Sequence, residues 1–278
     1  MSAQSLRRRV STSRLAPVAI FPVRAARVLR HDAQVVGRST RWLFTSREHH
    51  NYTYNLTALN REHLVWYLAA VTDLPAKDLR GYLDEIEGDD ALRRHILSTT
   101  AQAGRRGLAD RQVRYGRRIG WYALVRALKP KHVVETGIDK GLGSLVIASA
   151  LLRNAAEDAP GRLTAMDINP EAGYLTKADP WASVIDVVIG DSIGSIAGLQ
   201  TPIDLFLHDS DHAVEHERNE FRTAEPKLAD NAVLASDNAA VTDVLPKHAE
   251  STGRKFLFFA EEPDRHWFPG DGIGLAWR

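Results

Sequence analysis

The chain of 278 residues contains no cysteine. That absence removes disulfides, thiolate–metal centres and cysteine nucleophiles together, and it fits an intracellular, cytoplasmic protein. An excess of either charge is also missing. The 36 basic and 35 acidic residues nearly cancel, so nothing in the balance calls for nucleic acid or an anionic membrane as the main partner. Long apolar runs are absent as well. The stretch from Leu15 to Val23 is broken by Pro17 and Pro22 and is too short to span a bilayer. Arg7, Arg8 and Arg9 precede it like the charged start of an export signal, but no small-residue cleavage site follows; a basic, surface-lying arm is expected. There is no internal repeat and no low-complexity tract.

What is present is an ordinary globular composition, 44% hydrophobic and 26% charged, enough to bury a core. The organisation changes at Pro130. Before it, apolar positions such as Leu64, Trp66, Tyr67, Ala70 and Val71 recur at helical spacing. Asn60, Pro75 and Asp89 stand where helices could begin. A last helix is expected from about Asp110 to Leu128, with Val113, Ile119, Trp121 and Leu124 on its apolar side. After Pro130, short apolar runs alternate with helical stretches: His132–Glu135, Leu163–Asp167, Val184–Ile189, Leu205–Leu207, Val233–Ser236, Phe256–Ala260 and Ile273–Trp277. Such alternation predicts strand–helix–strand units and a mostly parallel sheet. The last two runs are joined by a loop with Pro263, Pro269, Gly270 and Gly272 and pair most simply as an antiparallel hairpin at the sheet edge. The expected division is an N-terminal arm and helical cap over residues 1–109 and an α/β core over 110–278.

The first strand of that core runs straight into Gly137, Gly141 and Gly143, followed by the apolar helix Leu145–Leu152. Glycines here let the chain turn sharply and let a ligand approach backbone amides at a helix start. Dinucleotide-binding dehydrogenases space these glycines G-x-G-x-x-G. Here the spacing is G-x-x-x-G-x-G, with Glu135 two residues ahead, which tells against nicotinamide. The loop resembles that of the class I S-adenosylmethionine-dependent methyltransferases, in which an acid–x–glycine–x–x–x–glycine turn holds the methionine end of the cofactor. The resemblance implies a Rossmann-like α/β sandwich: a seven-stranded, mostly parallel sheet with an antiparallel edge strand, plus the helical N-terminal cap. It also implies that Glu135, Gly137, Lys140, Gly141, Gly143 and Ser144 hold the cofactor. Asp167 and Ile168 at the second strand end would hold its ribose, and Asp191 and Ser192 at the third its adenine. Asp209 would complete the set at the fourth. Acids after strands also cap helices, so each one alone means little.

The run from Ile203 to His212, followed one strand later by Asp237-Asn238, resembles the metal-dependent small-molecule O-methyltransferases, such as the catechol and caffeoyl-coenzyme A enzymes. That resemblance implies Asp209, Asp237 and Asn238 as ligands of magnesium, an oxygen-seeking cation that would lower the pKa of a substrate hydroxyl. Where those enzymes have a lysine base this chain has His212, a residue matched to proton transfer at neutral pH. Asp-Ser-Asp-His followed by Glu215 and His216 is similar to a bacterial, family-24-like group that methylates natural products. On this reading His212, Asp211, His208 and Tyr52 handle the proton. Ordinary helix-end roles for His208 and His216, and a turn-forming role for Asp237-Asn238, are the plain alternatives.

His49-His50-Asn51-Tyr52-Thr53-Tyr54-Asn55 clusters rings that can stack on a planar acceptor. With Arg111–Tyr122 it is similar to actinobacterial methyltransferases of indole metabolites, which would make carbon 3 of indole the acceptor atom. Tyr54, His266 and Trp267 are candidate acceptor contacts; Trp267 and Phe268 fit a homodimer contact equally well. Three readings stand: metal-assisted O-methylation, metal-free C- or N-methylation of an indole or amine, and a non-catalytic cofactor-binding protein. Small molecules (phenol, indole or amine) are the expected partners.

Overall fold

The computed structural model describes residues 14, 16–49, 52–104, 106–110 and 112–278. Arg7 to Arg9, Leu15, His50, Asn51 and Arg111, which the sequence reading invokes, lie outside them. The chain divides into two compact units. One contains the described residues up to Arg47 together with Arg265–Trp267. Its helices are α1 (Ala16–Ala19) and α2 (Phe21–Thr45). On α2, Arg24, Arg27, Arg30, Arg38 and Arg41 gather on one side, and Val28, Leu29, Val36 and Leu43 on the other are exposed. Trp42 packs on Trp267 and His266, with ring centroids 5.3 and 6.1 Å away. Among the described residues no helix is long and apolar enough to cross a membrane.

The second unit, Glu48–Asp264 with Phe268–Arg278, holds the sheet. The helices α3 (Ala58–Thr72), α4 (Ala76–Glu87) and α5 (Asp90–Gln102), which the sequence assigns to a cap, belong to this same unit. Pro75 and Asp89 are helix caps as expected, Asp89 accepting the Leu92 N–H at 2.9 Å. The first cap is Thr57 rather than Asn60: its hydroxyl accepts the Asn60 N–H at 3.2 Å. Asn60 instead donates its amide to the Ala260 carbonyl and accepts the Glu262 N–H, both at 2.9 Å. The expected helix from Asp110 shortens to α6 (Arg118–Leu128). Gly116 takes φ +54° and donates its N–H to the Tyr54 carbonyl at 2.8 Å, a backbone state that no helix accommodates.

Every expected strand is present: β1 (His132–Thr136), β2 (Arg162–Asp167), β3 (Ile185–Ile189), β4 (Ile203–His208), β5 (Leu228–Ser236), β6 (Lys255–Ala260) and β7 (Gly272–Trp277). They form one sheet in the order 3-2-1-4-5-7-6. The first five run parallel; β7 is antiparallel to both β5 and β6. The strand that runs against the rest therefore sits one place in from the edge, and β6 takes the edge. Alternation explains why the runs read as continuously apolar. Val133, Leu205, Leu207, Val233 and Leu275 belong to the core under α3, α4, α6 and α7 (Leu142–Ala155). Val134, Phe206, Leu234 and Ala276 belong to a second core, with side chains of α8 (Ser192–Gly198), α9 (Val214–Ala224) and α10 (Val244–Ser251). Both faces are covered, as a parallel sheet requires.

The strand order reverses between β1 and β4, the place where a doubly wound sheet opens a crevice. The register pairs Thr136 with Met166 and His208, and His208 with Ser236, so four strand ends lie level. One side chain ties them together. Glu220, on α9 and fully buried, accepts hydrogen bonds from Thr136 (2.7 Å), His208 Nδ1 (2.6 Å), Ser210 (2.9 Å), His216 Nε2 (2.9 Å) and Ser192. Burial alone would raise its pKa, but these donors, His208 foremost, outweigh it and hold the carboxyl at about 2.

Because the folded pKa lies below the ordinary 4.5, the stability this carboxylate contributes is fully present above pH 4.5 and is lost as pH falls toward 2. Glu220→Gln, which keeps the shape but removes the charge and one acceptor, is expected to cost about 3 kcal/mol at pH 7 in urea unfolding. The gap to the wild type should narrow as pH falls below 4.5; a gap independent of pH would refute the assignment.

Candidate functional site

The cleft at these strand ends has a volume of about 600 Å³. It is built first from the glycine loop. Gly137 has φ +88°, and a Cβ there would lie 1.9 Å from the Asp209 carbonyl oxygen. Only glycine lets β1 turn that closely against the loop after β4. Gly141, at φ +91°, leads into α7. Beneath the loop lies Glu135, 1% exposed, which accepts a hydrogen bond from Ser144. Its pKa is pushed up to about 8 by burial, against the opposing pull of Ser144 and the Arg118 charge. Ser144 is thus a partner of Glu135 and is itself buried.

Asp167 closes β2 and works on the same loop. One carboxylate oxygen accepts the N–H groups of Ile138 and Asp139 at 2.9 and 3.0 Å, and the other accepts that of Asn169 at 2.8 Å. Beside it Ile168 is 80% exposed and lines the cleft. Asp191 caps α8, accepting the Gly194 N–H at 2.7 Å, and also faces the cleft. Its capping role is real and does not remove it from the wall. Gly137, Lys140, Gly143, Ser192 and Asp209 are lining residues too. Of the residues expected to hold the cofactor, only Gly141 and Ser144 stand behind the wall.

The expected metal ligands are arranged for something else. Asp237 is 5% exposed, and both of its carboxylate oxygens bind the guanidinium of Arg117, which is itself buried. Arg117 also meets Glu261 at 3.2 Å through Nη1, and its backbone N–H reaches Glu261 at 2.8 Å. Burial would raise the Asp237 pKa, but Arg117 holds it below the ordinary value. Burial and the neighbouring Asp237 carboxylate raise the Asp209 pKa well above its ordinary value, against the opposing pull of Arg117. Asn238 donates its amide to His208 Nε2 at 2.9 Å, leaving its Oδ1 without a partner. Magnesium needs several free oxygens, whereas here a fixed guanidinium already occupies the carboxylate that would anchor it. Among the described residues no three acids or histidines are grouped to hold a metal. The three residues come together as expected, but as the setting of an arginine, and they do not fit the ion.

The proton-handling candidates separate as well. His212 and Asp211 line the cleft on the exposed loop after β4, Asp211 accepting the Ala213 N–H at 3.0 Å. His208 does not: it is fully buried between Glu220 and Asn238, both ring nitrogens engaged. It braces the strand end and cannot reach an acceptor. Tyr54 is 2% exposed and donates its hydroxyl to Glu261 at 2.8 Å, so it belongs to the Arg117 cluster and not to an acceptor surface. Tyr52 packs on Phe268, ring centroids 5.4 Å apart, and Thr53 between the two tyrosines faces the cleft. His266 and Trp267 belong to the first compact unit.

Three residues essential to this arrangement are not among those the sequence motifs single out: Arg117, Arg118 and Glu220. His216, passed over as a helix-end residue, lines the cleft and binds Glu220 and Ser192. Only Glu220 carried a local signal, its spacing of four from His216 on one helix face.

Against curated protein sequences the chain matches none. Among solved structures, the fold is similar to a putative O-methyltransferase from Klebsiella pneumoniae (20% identity, 68% of this chain and 90% of that one, TM-score 0.49). An O-methyltransferase from Bacillus cereus in complex with S-adenosylhomocysteine shares 15% identity over 68% of this chain and 92% of that one, TM-score 0.49. TomG from Streptomyces achromogenes, an O-methyltransferase involved in tomaymycin synthesis, shares 21% over 68% and 89%, TM-score 0.49. Residues 134–239, which run from β1 to the end of β5 and contain Glu135, Asp167, Asp209 and Asp237, match a family model described as a methyltransferase domain, and the activity this match supports is S-adenosylmethionine-dependent methyl transfer.

Proposed function

We propose that the chain transfers the methyl group of S-adenosylmethionine to a small-molecule acceptor without a divalent metal, with His212 taking the acceptor's proton. The observation that carries this reading is the cleft itself: a buried acid under a glycine loop whose amides are oriented by Asp167. Glu135 would receive the ammonium of the cofactor's methionine end, the loop from Gly137 to Gly143 its backbone, and Asp167, Ile168 and Asp191 its nucleoside. When bound, the cofactor supplies a sulfonium methyl open to direct displacement. The chain then has two tasks, aligning the acceptor and removing one proton. His212 is the imidazole on the open side of the cleft past β4, and it stands where a leaving proton can be taken up. Arg117 supplies fixed positive charge next to Asp237 and Asp209, the positions expected of a metal, and this favours metal-free transfer to a phenol, an indole or an amine over metal-assisted O-methylation. A role in specialised metabolism fits the same small cleft.

Incubation with labelled cofactor and a panel of phenols, indoles and amines should label one class, equally with and without chelator. No label in any class would defeat the enzymatic reading; loss of labelling with chelator would defeat the metal-free one. His212→Ala should lower kcat at least tenfold, roughly the lower end of general-base contributions, while the affinity for S-adenosylhomocysteine stays unchanged.

A pH dependence follows from Glu135. Its ionised form is the one that accepts an ammonium, and its carboxyl in the free protein titrates at about 8. Affinity for S-adenosylhomocysteine, measured by calorimetry, should therefore rise by about tenfold per pH unit between pH 6 and 8, with proton release on binding at pH 7. Glu135→Gln should remove the slope; a flat wild-type profile would contradict the assignment.

A further inference from the structure

The near-cancellation of charge over the whole chain hides a segregation in its first compact unit. Helix α2 (Phe21–Thr45) carries Arg24, Arg27, Arg30, Arg38 and Arg41 and a single acid, Asp32. With a turn of about 100° per residue, the five arginines fall within about 120° of the helix circumference. Val28, Leu29, Val36 and Leu43 lie on the other side, within about 100°, and are 58–68% exposed. Exposed Phe21 and Phe44 extend this apolar surface at the two ends of the helix. None of the 25 residues of α2 is buried, and among the described residues none of its five arginines makes an ion pair. A helix gains most of its stability by covering an apolar face, and here that face is left to water. An apolar stripe bordered by guanidinium groups suits the surface of an anionic bilayer. The apolar side chains enter the acyl boundary while the arginines stay among the phosphates; the same arginines oppose a spanning role.

We propose that α2 docks the protein on an anionic phospholipid surface, its apolar side turned into the bilayer and its arginines on the headgroups. Charge complementarity selects this occupant over a second copy of the chain. A helix pair needs apolar residues at both repeating positions of a heptad and charges of both signs on its flanks. Phe21, Val28, Val35 and Trp42 do recur every seven residues, but the companion positions four further on are Ala25, Asp32 and Ser39, and no acid on the flanks could meet a partner's arginines. Nucleic acid would answer the arginines and leave the apolar side uncovered. Asp32 is the residue that opposes docking: it falls within the apolar arc, its carboxylate 3.2 Å from His31 Nδ1, and its charge is costly to bring against acyl chains. Docking of this kind stands apart from the methyl-transfer reading and would survive its failure.

Flotation of the full chain with lipid vesicles tests this. Phosphatidylcholine vesicles containing about one third phosphatidylglycerol should bind it at least about tenfold more tightly than phosphatidylcholine alone, and the preference should shrink in about 0.5 M salt. Replacing three charges together (Arg24→Gln, Arg27→Gln and Arg38→Gln) should abolish the preference. Leu29→Asn with Leu43→Asn should weaken binding to the anionic vesicles by about tenfold or more, whereas Asp32→Ala should strengthen it. None of these side chains is buried, so urea unfolding of each variant should match the wild type and show that a loss of binding is not a loss of fold. Equal binding to the two vesicle types would overturn the proposal, and so would binding indifferent to the leucine substitutions. Retention of duplex DNA without vesicle binding would assign the arginines to nucleic acid instead. A dimer seen by sedimentation, dissociated by Leu43→Asn and indifferent to vesicles, would assign the apolar face to a second copy.

Discussion

The site depends on a single carboxylate beneath it. Glu220 accepts five hydrogen bonds, from the ends of β1 and β4, the start of α8 and one turn of its own helix. The sheet alone fixes the strand ends only to the level of their register. A buried, fully satisfied acceptor fixes where Thr136, Ser192, Ser210 and His216 point, because any displacement leaves a charge in the interior short of donors. The glycine loop starts one residue after Thr136, and the loop bearing His212 starts one residue after His208. Both walls of the cleft are thus referred to one atom group under its floor.

Charge around the cleft is distributed unevenly between paired and less fully paired groups. Arg117, Asp237, Glu261 and Tyr54 satisfy one another. Glu135 accepts from Ser144 and, among the described residues, makes no ion pair; its burial raises its pKa. Arg118 stands over the Trp121 ring, and among the described residues its Nε has no hydrogen-bond partner. Incomplete pairing in a folded protein is a local cost, and it concentrates at binding sites because a ligand completes it. The difference between two neighbouring arginines is in this sense more informative than either one alone.

The legible part of the sequence was the part written in local pattern. The parallel strands could be read because both sheet faces are buried, which turns each strand into an apolar run. The loop could be read because the Gly137 turn tolerates no side chain and the spacing to Gly141 and Gly143 is short. Two errors were also local. The helix from Asp110 was drawn too long because Val113 and Ile119 continue its period, although Gly116 interrupts the backbone between them. His208 carries a reactive side chain, yet β4 alternation puts it on the face of Phe206, under α9 and away from the cleft. The arrangement of the expected metal ligands has a non-local cause. Asp209, Asp237 and Asn238 have the residue types and strand positions of a magnesium site, but their meaning is set by Arg117, 120 residues before Asp237. No periodicity or spacing reports a partner at that distance.

That dependence has a consequence for how such sites diverge. A divalent cation and a guanidinium both neutralise a pair of acids, yet they leave different chemistry behind. A bound cation keeps exchangeable positions that a substrate oxygen can enter; a guanidinium fixed by two carboxylates offers none, and its own pKa stays far above neutrality. With both carboxylate oxygens of Asp237 held on Arg117, that strand end offers no free carboxylate oxygen for coordination. On the proposed metal-free reading the proton leaves through a side chain, the role proposed above for the imidazole of His212, which lies three residues after Asp209 and lines the cleft.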